Sequence, residues 1–234
     1  MSAKLISAEV VSIEAVTDYV KIVKLKPLQV AHFLAGQYLH VVLNENDKRV
    51  FSIASSPNSE FIELHIGAGP GDDYPQGALD HMANNKVVEL EIGLGHAHLN
   101  SASERPIVLM AGGTGFSYVK SIADYLAETK PNHHVILYWG AKDQNALYAD
   151  EYLQAWAKQH AHFQYIPVVE NSEDDWQGKT GYVHHAVMED IMSLEPYDIY
   201  LAGPFKMAGI AREDFIAQKG ALKEHMYADA FAFI

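Results

Sequence analysis

The spacing of apolar residues changes once along this chain, near residue 100, and that change constrains the fold more than any other feature. Before it, short runs with period-two alternation are separated by turn formers, which is the pattern of half-buried strands. Six such runs with one helical segment among them predict a six-stranded antiparallel β-barrel. The helical segment has Ala78, Leu79, Met82 and Ala83 on one face and is predicted to close the barrel. The six runs are AEVVSIEAV, YVKIVKLKPL, QYLHVVLN, RVFSIAS, FIELHIGA and VVELEIG.

Beyond the polar stretch HAHLNSASERP, the rhythm becomes strand and then helix. Four near-continuous apolar runs, PIVLMAGG, HVILYWG, FQYIPVVE and YDIYLAG, are each followed by an amphipathic segment. Buried strands that alternate with such helices predict an α/β domain, a doubly wound parallel sheet covered on both faces. We therefore predict two domains, residues 1–102 and residues 103–234.

The composition excludes several classes of function. Lys and Arg total 17 against 30 Asp and Glu, a formal net charge of -13, so the average field repels nucleic acid and anionic membranes. The absence of cysteine rules out disulfides, cysteine nucleophiles and cysteine-ligated iron–sulfur clusters in this chain. Glu9 and Glu14 interrupt the N-terminal segment before a signal peptide or membrane span develops. A cytoplasmic location is the resulting expectation.

A glycine-rich turn follows the first strand of the second half. In VLMAGGTGFSYVKSIADYL, Gly112, Gly113 and Gly115 stand between a buried strand and an amphipathic helix. Glycine lets the backbone approach a ligand, and the free N–H groups of the next helix attract an anion such as a pyrophosphate. The stretch is neither a P-loop nor a complete G-x-G-x-x-G fingerprint, because Tyr118 occupies the place of the third glycine. The alternative is a tight turn without a ligand.

Two further strands end in glycine, in LYWGAKD and YLAGPFKM. In an open parallel sheet, ligands lie beyond the carboxyl ends of the strands, so three glycine-bearing ends predict a groove for a dinucleotide. Lys142 and Asp143 follow the second strand, where the adenine ribose is commonly read. A cation there favours the 2′-phosphate of NADPH and a carboxylate favours the free hydroxyl of NADH. The choice between NADH and NADPH therefore stays open.

The stretch RVFSIASSP places a fixed cation and several hydroxyls at the end of a half-buried strand. Arg49 offers a permanent charge and a planar stacking surface, and Ser52 offers a hydroxyl that donates or accepts. A flat, electron-accepting heterocycle with a phosphate tail would use both. The alternative is an edge-strand arginine paired with surface carboxylates, beside a serine-rich turn.

The order of these pieces resembles the ferredoxin-NADP reductase superfamily. The chain is most similar to the bacterial NAD(P)H-flavin reductases of the Fre/LuxG family, and the similarity spans essentially its whole length. The segments that carry the resemblance are GQYLHVVLNENDKRVFSIASSP, FIELHIGA, AGGTGFSY, LYWG, IPVVE and DAFAFI.

The resemblance implies a flavin under the barrel, with a nicotinamide arriving from the side of the glycine turn. FMN, FAD and riboflavin are all open as the flavin, and NADH and NADPH as the hydride donor. Ser52 is implied as the catalytic residue, close to flavin N5, the atom that accepts hydride. The other implied cofactor-binding residues are Arg49, Phe51, Ile53, Ala54, Ser55, His65, Ile66, Gly67, Ala111, Gly112, Gly113, Thr114, Gly115, Trp139, Gly203, Pro204 and Phe231.

The chain departs from the family pattern at three places. Val50 stands where many relatives have proline. His96 and His98 stand where close relatives carry an acid and a tryptophan, which leaves the role of that loop open. Ala78 replaces the hydroxyl with which FAD-retaining relatives begin the corresponding helix, and Asp72 and Asp73 before it repel a phosphate. These departures predict a weakly held flavin that enters oxidised and leaves reduced.

Thirteen histidines raise the question of a metal site. His96 with His98, and His160 with His162, have the spacing that places both rings on one side of a strand. Neither pair has an obvious third ligand, and the adjacent pair His184–His185 is expected to diverge by about 100° on a helix. We therefore predict no metal site.

These features together predict an NAD(P)H:flavin oxidoreductase that passes hydride from nicotinamide C4 to flavin N5 and releases the reduced flavin. A luciferase, a monooxygenase or ferric iron would be its acceptor. One alternative is an FAD-containing reductase subunit that passes electrons to a separate iron–sulfur or haem protein. A second is a regulatory module that binds flavin or nucleotide without turnover. The oligomeric state stays open.

Overall fold

The computed structural model describes residues 3–234 and contains two six-stranded sheets. The first sheet is antiparallel, and each of its strands lies where period-two alternation predicts one. The strands are β1 (Lys4–Ala15), β2 (Val20–Pro27), β3 (Tyr38–Asn44), β4 (Asp47–Ser52), β5 (Ile62–Gly67) and β6 (Val87–Leu94), in the order β4-β3-β6-β1-β2-β5.

The first sheet curves so that its two edge strands, β4 and β5, approach each other. The N–H of Ala54, just beyond β4, donates to the carbonyl of Glu63 in β5 at 2.8 Å. Alternate side chains of the strands, including Leu39, Leu64 and Leu90, are completely buried inside. The predicted barrel is therefore present as a half-barrel, partly closed at this edge.

One helix, α1 (Asp73–Asn84), covers the core of the half-barrel, as predicted. It buries Pro75, Ala78, Leu79 and Met82. Ala83, which was expected on the inner face, is exposed. The buried stripe begins one turn earlier than predicted, because Pro75 in the first turn reaches the core instead.

The second sheet is parallel throughout, with the order β10-β9-β8-β7-β11-β12. The four predicted strands are confirmed. Two further strands of two residues each were not predicted, because so short a segment carries no periodicity. The strands are β7 (Ile107–Gly112), β8 (Val135–Ala141), β9 (Phe163–Val169), β10 (Lys179–Thr180), β11 (Asp198–Ala202) and β12 (Met226–Tyr227).

Helices cover both faces of the parallel sheet, which confirms the doubly wound prediction. On one face lie α2 (Phe116–Thr129) and α3 (Asp150–Gln159), whose apolar side chains pack in a core with Trp139. On the other lie α4 (Val183–Asp190) and α5 (Phe205–Lys219), which pack in a core with Tyr138. The helix that follows β7 therefore lies on the opposite face of the sheet from the helix that follows β11, although the two strands are neighbours. No helix within residues 3–234 has the length and apolar character needed to cross a membrane.

Direct hydrogen bonds join the half-barrel to α2. The hydroxyl of Ser121 donates to the carbonyl of Ser55 at 2.8 Å, and the hydroxyl of Ser56 donates to Glu128 at 2.6 Å. These bonds fix the turn between β4 and β5 against the second sheet. The predicted domain boundary, between residues 102 and 103, falls in the segment that links β6 to β7 and remains a prediction.

Candidate active site

A cleft of about 1200 Å³ opens between the half-barrel and the carboxyl ends of the parallel strands. Residues from β4 and β5 line one side, and the turns after β7, β8 and β11 line the other. The structure thus brings to one cavity several residues that lie far apart in the sequence. The predicted site residues that line it are Phe51, Ser52, His65, Gly67, Gly112, Gly113, Thr114, Gly115, Gly203 and Pro204.

The turn after β7 has a backbone that requires glycine. Gly113 has a φ of +55°, in the left-handed region that other residues disfavour. A side chain on Gly115 would overlap the carbonyl oxygen of Ala202 in β11. The indole N–H of Trp139, in β8, donates to the carbonyl of Gly113 at 2.9 Å and fixes the position of the turn. The turn therefore presents backbone, without side-chain bulk, to the cleft.

The position of this turn in the sheet favours an anionic ligand. It lies between β7 and β11, where the chain changes from one face of the sheet to the other, and ligands of open α/β sheets bind at such a crevice. A short 3-10 helix, Gly113–Gly115, runs directly into α2 at Phe116, whose N–H already donates to the carbonyl of Gly113. The positive end of this continuous helix therefore lies at the glycine turn, which lines the cleft.

On the opposite side of the cleft, the end of β4 contributes Phe51 and Ser52. Arg49 lies outside the cleft lining, because it is held by two neighbours on the barrel. Its Nη2 donates to Asp47 at 2.7 Å, and its guanidinium stacks 4.6 Å from the ring centroid of Tyr74, which does line the cleft. The hydrogen bond from Arg49 lowers the pKa of Asp47 below its usual value. In this structure Arg49 therefore forms the surface ion pair of the alternative interpretation, with its flat face against Tyr74. Its stacking on a flavin stays a prediction.

The far end of the cleft contains the residues expected to read an adenosine ribose. Lys142 lines the cleft, and so does Glu170 at the end of the neighbouring strand β9. Asp143 is used elsewhere, since its carboxylate accepts a hydrogen bond from the N–H of Ala146 at 3.1 Å. The charges that face this end of the cleft are therefore one lysine and one glutamate.

Comparison with known proteins decides the family. The model of the oxidoreductase NAD-binding domain family matches residues 109–213. The NAD(P)H-flavin reductase of Vibrio harveyi is 46% identical to this chain over 235 residues, which cover 98% of this chain and 99% of that protein. The NAD(P)H-flavin reductase of Aliivibrio fischeri is 45% identical, also over 98% and 99% of the two chains. The chain belongs to the NAD(P)H-flavin reductase family.

Solved structures share the fold of this flavin reductase family member. The FAD/NAD-binding domain of a nitric oxide dioxygenase from Vibrio cholerae superimposes with a TM-score of 0.81 at 21% identity, over 95% of this chain and 96% of that one. A ferredoxin NADP⁺ reductase from Neisseria gonorrhoeae superimposes with a TM-score of 0.75 at 16% identity, over 93% and 92% of the two chains. The half-barrel followed by the doubly wound sheet is thus the architecture of these two solved structures.

Several residues implied by the flavin reductase resemblance lie beside the cleft and do not line it. The N–H groups of Ile53 and Ala54 donate to the carbonyls of Gln37 and Glu63, so they are already paired within the barrel. Phe231 packs under the guanidinium of Arg212, 5.0 Å away. The others that do not line the cleft are Ser55, Ile66, Ala111 and Trp139, all of them buried. In this structure these residues pack behind the residues that line the cleft.

Asp229 lines the cleft and was missed by sequence reasoning. It lies in the short helical turn Asp229–Ala232 near the end of the chain. Burial raises the pKa of its carboxyl, while a hydrogen bond from the backbone of Ala97 and the nearby rings of His96 and His98 act in the opposite direction. The loop whose role was open therefore lies against Asp229. The only sequence signal was the resemblance of DAFAFI to the family, which names no role for the aspartate.

A buried charge cluster lies behind His65, where the half-barrel meets α2. His65 Nε2 is 2.8 Å from Glu63, and the hydroxyl of Tyr148 is 3.0 Å from Nδ1. Lys120 lies 3.3 Å from Glu63 and 2.8 Å from Asp124. Burial pushes the pKa of Glu63 upward, but the hydrogen bond from His65 and the charge of Lys120 outweigh it and lower the pKa to about 2. Burial also lowers the pKa of His65, so its ring is neutral at neutral pH.

Proposed function

We propose that this protein is an NAD(P)H:flavin oxidoreductase that reduces a free flavin in the cleft between its two sheets. One observation carries the proposal: the end of β4 with Ser52 and the glycine turn Gly112–Gly115 line the same cleft. The family membership supports the same activity, since the full-length relatives from Vibrio harveyi and Aliivibrio fischeri are named NAD(P)H-flavin reductases.

The two substrates supply the chemistry, because nicotinamide C4 gives up a hydride and flavin N5 accepts it, which yields one oxidised nucleotide and one reduced flavin. The protein supplies position and polarity. The backbone of the glycine turn, at the positive end of the helix that continues as α2, holds the nucleotide pyrophosphate. The hydroxyl of Ser52 orients the flavin edge and stabilises the negative charge that grows there during transfer.

The flavin is held weakly and leaves after reduction. Asp72, at the start of α1, lines the cleft, and Asp73 adds a second carboxylate in the first turn of that helix. Their charges oppose the pyrophosphate of FAD. Ala78 is completely buried and offers no group to a ligand. The cleft therefore supports riboflavin and FMN as well as FAD.

Both pyridine nucleotides serve as donors in this proposal. Lys142 attracts a 2′-phosphate and Glu170 opposes it, and both line the same end of the cleft. Because the two charges offset each other, neither NADH nor NADPH is strongly preferred. Reduced flavin released from the cleft then serves a luciferase, a monooxygenase or ferric iron.

An absorbance assay tests the proposal. The flavin-free protein is mixed with NADH or NADPH and with riboflavin, FMN or FAD in turn, with no other protein present. We expect steady loss of nicotinamide absorbance with each flavin, and colourless protein after dialysis. If the protein retained stoichiometric FAD and oxidised NADH only when an iron–sulfur or haem protein was added, it would be a reductase subunit instead. Binding of both ligands without turnover would indicate a regulatory module.

A further inference from the structure

A second cluster of polar side chains lies where the first turn of α4 faces α5. It comprises His184, His185 and Asp214, and one potential ligand atom from each lies within 4.8 Å of the others. The ring centroids of the two histidines are only 4.2 Å apart. The two rings thus lie close together, although adjacent positions on a helix are about 100° apart. The sequence could not show the cluster, because Asp214 lies on a different helix.

The hydrogen-bonding state of His184 is unusual for a buried side chain. The residue is 5% exposed, and its Nδ1 is buried without a hydrogen-bond partner among residues 3–234. Its Nε2 lies 3.8 Å from Oδ2 of Asp214, which is too far for a hydrogen bond. The Nε2 atom of His184 thus faces a carboxylate without contacting it, while Nδ1, the other nitrogen of the ring, has no partner among the described residues.

The spacing of the cluster fits the ligands of one metal ion better than an ion pair. In a tetrahedral zinc site with bonds of about 2.0–2.2 Å, two ligand atoms lie roughly 3.4 Å apart. The separation of 3.8 Å between His184 and Asp214 is close to that value. His185 is exposed in the first helical turn, so its ring is free to rotate towards the other two.

The carboxylate of Asp214 is held in place for such a role. Its Oδ1 accepts a hydrogen bond from Nε2 of Gln218 at 2.8 Å, which leaves Oδ2 directed at His184. Outer hydrogen bonds of this kind orient metal ligands and are typical of zinc sites. On the other side, the ring of Tyr182 stacks against His184 with an angle of 19° between the planes.

We propose that His184, His185 and Asp214 form a binding site for a divalent transition-metal ion, with Zn²⁺ as the best match. Two imidazoles and one carboxylate are ligands that suit Zn²⁺, whereas Mg²⁺ and Ca²⁺ require mostly oxygen. Water completes the coordination on the exposed side. The ion links α4 to α5. It lies beside the cleft, because its ligand His184 and the neighbouring Tyr182 also line the cleft. The site does not depend on the proposed reductase activity.

Calorimetric titration of the metal-stripped full-length protein with ZnCl₂, without flavin or nucleotide, tests the site. We expect one ion per chain in the wild type and in His134→Ala, a control at an exposed histidine outside the cluster. His185→Ala and Asp214→Asn each lose a ligand and should bind at least about ten-fold more weakly, the minimum that loss of an outer-shell partner costs.

Two further measurements, of unfolding temperature and of Co²⁺ absorption, check the calorimetric result. Zn²⁺ should raise the unfolding temperature of the wild type and of His134→Ala by more than that of His185→Ala, and the metal-free unfolding temperatures show whether each variant is folded. Co²⁺ added to the wild type should give the visible absorption of a four-coordinate ion, which Zn²⁺ removes. No Zn²⁺ binding by the wild type, or equal affinity in all four proteins, would overturn the proposal.

Discussion

At the scale of single residues, Ser52 and Asp229 are two polar side chains of the cleft whose roles can be tested separately. Ser52 comes from the end of β4, and Asp229 comes from the last turn of the chain. The first has a hydroxyl at an accessible position of the wall, and the second has a partly desolvated carboxyl. Their predicted effects differ, because one acts on turnover and the other is most easily observed through stability.

Replacing Ser52 by alanine should slow catalysis. We expect kcat to fall about ten-fold or more, in line with the loss of one hydrogen bond that strengthens in the transition state, with a smaller effect on KM for NADH. Steady-state kinetics with riboflavin measure both. Ser101→Ala, at an exposed serine of the linker, is the control and should retain full turnover. Unchanged kcat in Ser52→Ala would remove Ser52 from the mechanism.

Asp229→Asn should change how stability depends on pH. Because burial raises the pKa of Asp229 above its usual value of 3.8, the folded state favours the protonated carboxyl. The wild type should therefore be most stable relative to Asp229→Asn below pH 3.8 and lose that advantage as the pH rises through the raised pKa. Urea unfolding of both proteins over a pH series gives the difference. A difference that is constant, or that grows with pH, contradicts this assignment.

At the scale of elements, the glycine turn connects β7, α2 and β11. Gly115→Ala should displace the turn, because a methyl group there overlaps the Ala202 carbonyl. We expect KM for NADH to rise about ten-fold or more, while the dissociation constant of riboflavin changes little. Gly69→Ala is the matched control, since no atom lies within 4 Å of its added methyl group. Equal kinetics for the two variants would show that the turn does not hold the nucleotide.

The charge cluster between β5 and α2 joins the two halves of the molecule. Lys120→Met leaves the buried carboxylates of Glu63 and Asp124 without their cation, and should lower the free energy of unfolding by about 3 kcal/mol. Lys26→Met removes the exposed ion pair with Glu60 and should lower the free energy of unfolding far less. Urea unfolding at neutral pH compares them. Similar losses in both would mean that the cluster contributes no more than a surface pair.

At the scale of the whole molecule, the sequence predicts both sheets because their strands carry local signals. Period-two alternation marks β1 to β6, and long apolar runs mark the four main parallel strands. The glycine turn is equally local, since three glycines between a strand and a helix already indicate a ligand site. These features depend on neighbours a few residues apart, so they can be read without knowing the tertiary structure.

The features that could not be predicted depend on contacts between distant parts of the chain. Asp229 enters the cleft because the end of the chain returns to the loop at Ala97. The amides of Ile53 and Ala54 are paired with Gln37, just before β3, and with Glu63 in β5, which no local pattern reveals. Asp214 faces His184 only because α4 and α5 cover the same face of the sheet.

The most direct test of the central claim is a single turnover under argon, with flavin-free protein, NADH and riboflavin in equal amounts. We expect one flavin to be reduced for each NADH oxidised, and the reduced flavin to pass through a membrane that retains the protein. The result that would contradict it is NADH that stays intact in the presence of both partners, or reduced flavin that stays with the protein after filtration.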